Sequence, residues 1–143
     1  MNDLSAGVVS SIDGIPSFQV EAIWPSIEAL IGRALAECGG WYTPESVKCA
    51  ALLGDMQIWV ISRGKWVLGV GVTEIRNYPS GARVAWIFAL AGESFDLWAH
   101  HLETVRSWAK AQGCKSVAVN GRKGWARKLN GWRELSVVLE SDL

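Results

Sequence analysis

The residues best placed for chemistry sit at the start of a helix. Gly92-Glu93-Ser94 leads into a stretch where Trp98, His101, Leu102, Val105, Trp108 and Ala109 recur at spacings of three and four, the signature of a helix with one apolar stripe. Ser94 is the expected N-cap, and Asp96 falls in the first turn, where exposed amide hydrogens favour a carboxylate. The same free amides can receive an anion, although a plainly capped helix needs none. A second charged feature comes later: Arg122, Lys123, Arg127, Lys128 and Arg133 form a basic patch suited to a phosphate-bearing ligand. Residues 1–60 balance at −5 and residues 100–143 at +4, within a formal net charge of zero. A neutral total argues against a duplex-DNA binder, whose electrostatic footprint is more extensive.

Other reactive residue types lack the spacing that chemistry requires. Cys38, Cys49 and Cys114 are far apart and form no CxxC pair, and the only histidines are the adjacent His100 and His101, so no zinc spacing results. Cys114 reads as a small hydrophobe heading an inner strand, because no histidine is placed to activate it. The two histidines fall inside the helix as packing or solvated residues. Of nine tryptophans, Trp59, Trp66, Trp86, Trp98 and Trp108 lie on element faces and read as core or half-buried packing. An aromatic platform for single-stranded nucleic acid would need bases between the rings, whereas the bases here cluster late.

The elements that must position these residues follow from hydrophobic period. The 143 residues, 50% hydrophobic and 20% charged, fit one domain over 1–143, able to bury about two thirds of its unfolded surface. Val8 to Ser11 suggests a short strand, and Asp13-Gly14-Ile15-Pro16 a turn. Ile23, Ile27, Leu30, Ile31, Ala34 and Leu35 mark a helix starting near Trp24, with Pro25 in its first turn and Gly39-Gly40 closing it. Thr43-Pro44 opens another helix that ends before Gly54. Met56 to Ser62 and Trp66 to Arg76 form a hairpin about Arg63-Gly64-Lys65, with Gly69 and Gly71 marking a bend, a bulge or a close backbone approach. After the turn Asn77-Tyr78-Pro79-Ser80-Gly81 come a strand over 83–91, the crossover helix ending at Gly113, and a strand over 114–119. A short helix over Lys123 to Leu129 and a last strand over Trp132 to Leu139 complete the chain. A strand, a long helix and a second strand make a right-handed crossover. The fold class is therefore α/β in the α+β sense, with a mixed, mostly antiparallel central sheet and one parallel βαβ crossover.

That order, with Val117-Ala118-Val119-Asn120 and Ala126-Arg127-Lys128-Leu129-Asn130-Gly131-Trp132-Arg133-Glu134, resembles the GNAT acetyltransferase superfamily and its acyl-CoA N-acyltransferase-like fold. Within it the chain looks closest to the short acetyltransferase-like proteins of tailed bacteriophages, where Gly121-Arg122-Lys123-Gly124-Trp125 has a counterpart. The resemblance implies acetyl-CoA in a splayed gap between strands 83–91 and 114–119. Its pantetheine arm would pair with backbone near Ile87, Phe88, Ala89 and Leu90, and its pyrophosphate would lie near Gly92, Glu93, Ser94 and Phe95. Asn120 would contact the arm, with Arg122 and Lys123 near the nucleotide. It further implies acyl transfer to an amine, with Glu74 as base and a backbone amide near Phe88 or Ala89 for the oxyanion. Two positions depart from the family pattern. The phosphate loop has one glycine and carries Glu93, and Ala126 stands where a tyrosine often protonates the leaving thiolate.

Two functions follow as expectations. One is an N-acetyltransferase acting on a small-molecule amine or a protein amino group. The other is a non-catalytic virion or assembly protein that keeps the fold, with a homo-oligomer or a phage structural partner. Unpaired cysteines and hydrophobic runs too interrupted to span a bilayer point to a soluble protein of the host cytoplasm or a virion, with no membrane or nucleic-acid partner.

Overall fold

A computed structural model describes residues 10–92, 95–120 and 125–143. In chain order these form β1 (Ser11–Ile15), α1 (Ser17–Leu35), α2 (Pro44–Leu53), β2 (Gln57–Arg63), β3 (Trp66–Asn77), β4 (Arg83–Gly92), α3 (Phe95–Ala111), β5 (Ser116–Val119) and α4 (Trp125–Lys128). The strands make one sheet in the order β1-β2-β3-β4-β5. Its first three pairings are antiparallel, and β4 with β5 is parallel. This is the mixed sheet with one crossover that the periodicity implies.

Strand alternation divides the core between the two faces. Ile58 and Val60 point to the side covered by α1 and α2, where they meet Val20, Ile27, Ile31 and Val47. Trp59 and Ile61 point to the side covered by α3, where they meet Trp98, Leu102 and Val105. The α2 start is built by a reciprocal cap: Ser46 N–H donates to Thr43 Oγ1 at 3.1 Å, and Thr43 N–H donates to Ser46 Oγ at 2.9 Å. Gly54, at φ 83°, ends that helix in the left-handed conformation a side chain would resist.

The two hairpin glycines are explained by a close approach. A Cβ on Gly71 would lie 2.7 Å from the Trp98 ring and 2.9 Å from Leu90, and one on Gly69 would lie 2.9 Å from the Ala91 carbonyl oxygen. Bare backbone here lets the Trp98 indole lie against β3 and seats α3 on the sheet.

Several sequence expectations require correction. The first helix begins at Ser17, not near Trp24, and Pro25 lies inside it. Val20, Trp24, Ile27, Ile31, Ala34 and Leu35 form one buried stripe, and their packing outweighs the backbone bond that proline removes. Asp13 and Gly14, expected in a turn, pair with Val60 and Trp59 in β1. Gly14 suits this position because a Cβ there would meet the Trp59 ring at 3.3 Å. Trp66 is 68% exposed at a hairpin end and contributes no core. Cys114 precedes β5 instead of heading an inner strand, and among the described residues β5 is the outermost strand of the sheet. No strand forms over Trp132 to Leu139, which runs on without regular structure.

Candidate active site

β4 and β5 are paired along only half of β4. Register runs from Val84 opposite Ser116 to Ile87 opposite Val119, and Asn120 N–H donates to the Ile87 carbonyl at 3.1 Å. β4 continues from Phe88 to Gly92 with no β5 partner. β5 ends at Val119, so on that side the backbone donors and acceptors of Phe88–Gly92 have no β5 partner among the described residues and need partners from elsewhere.

A bulge sits where that pairing ends. Val72 and Thr73 of β3 pair with Ala89 and Ile87, which leaves Phe88 as an extra residue on β4. Ile87 consequently belongs to the α3 side of the core, while Phe88 and Ala89 both belong to the α1/α2 side. The loop after α1 holds the bulge in place. Cys38 Sγ–H donates to the Phe88 carbonyl at 3.3 Å, and the Tyr42 ring stacks on Phe88 with centroids 4.6 Å apart. Burial, and next the charge of Glu37, push the Cys38 thiol pKa up, so it stays protonated as the donor this bond requires. At the far end of the run Trp98 Nε1–H donates to the Ala91 carbonyl at 3.3 Å and ties α3 to β4.

A polar and aromatic cluster lies one pairing before the bulge. Glu74 is opposite Trp86 across β3 and β4. Its Oε1 accepts from Arg76 Nε at 2.8 Å, and the pair is about 30% exposed, at 28% and 33% for the two side chains. The Arg76 guanidinium lies 4.8 Å from the Trp86 ring centroid, and Trp86 Nε1–H donates to Tyr78 Oη at 2.7 Å.

No protein-family model matches the sequence, and no curated protein matches it. Solved structures do match in three dimensions. An aminoglycoside acetyltransferase from an uncultured soil metagenomic sample, in complex with sisomicin, superposes with a TM-score of 0.72 at 12% identity, over 94% of this chain and 96% of that one. An aminoglycoside N-acetyltransferase in complex with CoA gives 0.69 at 13% identity, over 95% and 96%. A predicted acetyltransferase from Clostridium acetobutylicum, solved with acetyl-CoA, gives 0.68 at 10% identity, over 94% and 96%. The chain has the GNAT acetyltransferase fold. None of these three is a phage or virion protein, and they lend the phage resemblance no support.

Within this GNAT fold, the residues named from sequence divide into groups. Phe88, Ala89, Leu90 and Gly92 lie together along the run of β4 that β5 leaves unpaired, and Asn120 is bonded to Ile87 where that pairing ends. Phe95 begins α3. Glu74 is on the neighbouring strand, paired to Arg76, and does not lie on the unpaired run. Glu93, Ser94, Arg122 and Lys123 lie outside the described residues, as does the N-cap expected at Ser94. His100 is exposed, whereas His101 is buried with Nε2 2.8 Å from Ser10 Oγ. Sequence reasoning did not single out Cys38 and Tyr42, which meet Phe88 only when the loop after α1 reaches β4, nor Arg76, Tyr78 and Trp86, whose contacts arise across the β3–β4 hairpin once its register is set. Among the described residues no cluster of three His, Cys, Asp or Glu side chains can hold a metal ion, and no helix is long and apolar enough to cross a membrane.

Proposed function

We propose that the protein transfers an acetyl group from acetyl-CoA to an amine. The observation that carries this reading is the end of the β4–β5 pairing at Ile87, directly beside a backbone bulge and short of the start of α3. The residues fit such a group: among the described residues the Phe88–Gly92 backbone lacks a strand partner on the β5 side, and a thin, amide-containing arm can supply one. Acetyl-CoA supplies the acyl group as a thioester open to attack by a neutral amine. In this reading the unpaired run orients the arm, with Asn120 contributing from the β5 end. The bulge at Phe88 and Ala89 turns a backbone amide out of the ladder, where developing oxyanion charge needs a fixed donor. Glu74 takes the amine proton directly or through water, with its carboxylate held by Arg76 and walled by Trp86. Ala126 leaves protonation of the departing thiolate to solvent. Positive charge for the nucleotide is assigned to Arg122 and Lys123 on the family resemblance alone, since both lie outside the described residues.

Calorimetric titration with acetyl-CoA and desulfo-CoA tests the reading. Micromolar binding of both, weakened by Arg122→Glu or Lys123→Glu, together with amine-dependent release of free CoA thiol, is the expected result. No binding at millimolar ligand would overturn it.

A further inference from the structure

Two cavities lie where the last turn of α3 faces the sheet. The larger, about 450 Å³, is lined by Asp55 and Gln57 around the start of β2, Ile75 and Asn77 at the end of β3, Arg83 at the start of β4, and Trp108 of α3. That is a size suited to a small molecule. The smaller, about 230 Å³, lies toward the end of β1, with Ile15, Pro16 and Trp59 in its lining, and meets the first at Gln57 and Trp108. Hydrogen bonds within the lining decide what it offers. Trp59 Nε1–H donates to Thr73 Oγ1 at 3.0 Å, and the Thr73 hydroxyl therefore passes its own proton to Gln57 Oε1 at 2.9 Å. The Gln57 amide is thereby fixed with its carbonyl on Thr73, and its NH₂ group has only a 3.5 Å contact to the Gly54 carbonyl. Asn77 Oδ1 accepts from Arg83 Nη1 at 3.1 Å, which leaves the Asn77 NH₂ group without a partner among the described residues. Arg83 Nε–H donates to the Gln112 carbonyl at 2.9 Å, so the guanidinium is held against the end of α3 with Nη2 to spare. Among the described residues neither Asp55 nor Arg83 joins an ion pair.

The larger cavity thus offers N–H donors from Gln57, Asn77 and the cationic Arg83, and a separate carboxylate from Asp55, beside the half-buried Trp108 and Ile75. A lone anion suits the donors but meets Asp55, and a lone cation suits Asp55 but meets Arg83. A molecule carrying both charges satisfies both. We propose that the two cavities together bind a small zwitterion with an apolar side chain, either a free amino acid or a short peptide. Its carboxylate lies on Arg83 and the amides of Gln57 and Asn77, and its ammonium on Asp55. Its side chain lies against Trp108 and extends toward Ile15 and Pro16. Arg83 opens β4 at the end remote from Phe88–Gly92, so this site is separate from the run assigned to acetyl-CoA and does not rest on acetyl transfer.

Calorimetric titration of the full chain with L-phenylalanine, N-acetyl-phenylalanine, phenylalaninamide and leucyl-phenylalanine tests this. Removing either charge from the ligand should weaken binding by about 10-fold or more. Asp55→Asn should erase the advantage of phenylalanine over its N-acetyl form and leave the circular dichroism spectrum unchanged, because Asp55 is exposed and outside every ion pair among the described residues. Arg83→Gln should erase the advantage over the amide, with some loss of stability as the end of α3 is released. Tighter binding of leucyl-phenylalanine than of phenylalanine identifies short peptides as the occupant, and the reverse order identifies free amino acids. No binding of either zwitterion at millimolar concentration, equal binding of the charge-deleted forms, or binding that Asp55→Asn leaves unchanged overturns the proposal. The last outcome would place the amine elsewhere, as an acetyl acceptor would be, and acetyl-CoA titration of the same protein reports on that reading separately.

Discussion

Glu74 shares its carboxylate with Arg76 at 2.8 Å. If it is the base, Glu74→Gln should lower kcat for amine acetylation by about 10²-fold. CoA affinity by calorimetry should stay unchanged, because the residue stands off the run Phe88–Gly92. His101 makes a different single-residue prediction. Burial first, and the neighbouring His100 second, lower its pKa below the ordinary 6.5. The unfolded chain then binds the proton more readily than the folded one, so this contribution to stability is complete above pH 6.5 and is lost as pH falls below it. The urea midpoint should drop across that acidic range, and His101→Asn should flatten the drop.

Between elements, fit and capping set the energetics. Gly71→Ala places a methyl group 2.7 Å from the Trp98 ring, and the strain should destabilise the protein by about 1–3 kcal/mol. Chemical denaturation would measure the loss, and Trp98→Phe in the same chain should recover part of it by removing the colliding ring edge. Thr43→Ala removes the side chain that receives the Ser46 amide at 3.1 Å, with an expected loss of about 1 kcal/mol. That cap also anchors the loop carrying Cys38 and Tyr42 onto Phe88, so its loss should loosen the bulge as well as α2.

Over the whole molecule, the sheet is a continuous body through β4 that opens at one end. Helices α1 and α2 back one face and α3 the other, so the run Phe88–Gly92 that β5 leaves unpaired belongs to a strand held between two packed layers. If acetyl-CoA pairs with this run, ligand at one hundred times its Kd should stabilise the fold by about 2.7 kcal/mol, read as a rise of several degrees in Tm. Desulfo-CoA should give the same rise, because stabilisation needs binding and no chemistry.

Local pattern in the sequence determined the hairpin over β2 and β3, the Thr43 cap and Gly54 stop of α2, the amphipathic α3 and the strand-helix-strand crossover. Each of these depends on period or turn chemistry within a few residues. Tertiary structure alone decided the rest. Cys38 and Phe88 are 50 residues apart, and nothing local to either signals that a thiol will hold the bulge carbonyl. The residues over Trp132 to Leu139 have strand composition, yet a strand also needs a partner edge, and within this chain the tail is led away from β5 by Trp41. Pairing between distant segments is a property of the assembled sheet, which is why the resemblance could suggest a gap between these two strands but only the folded chain gives the register in which their pairing ends, Ile87 opposite Val119.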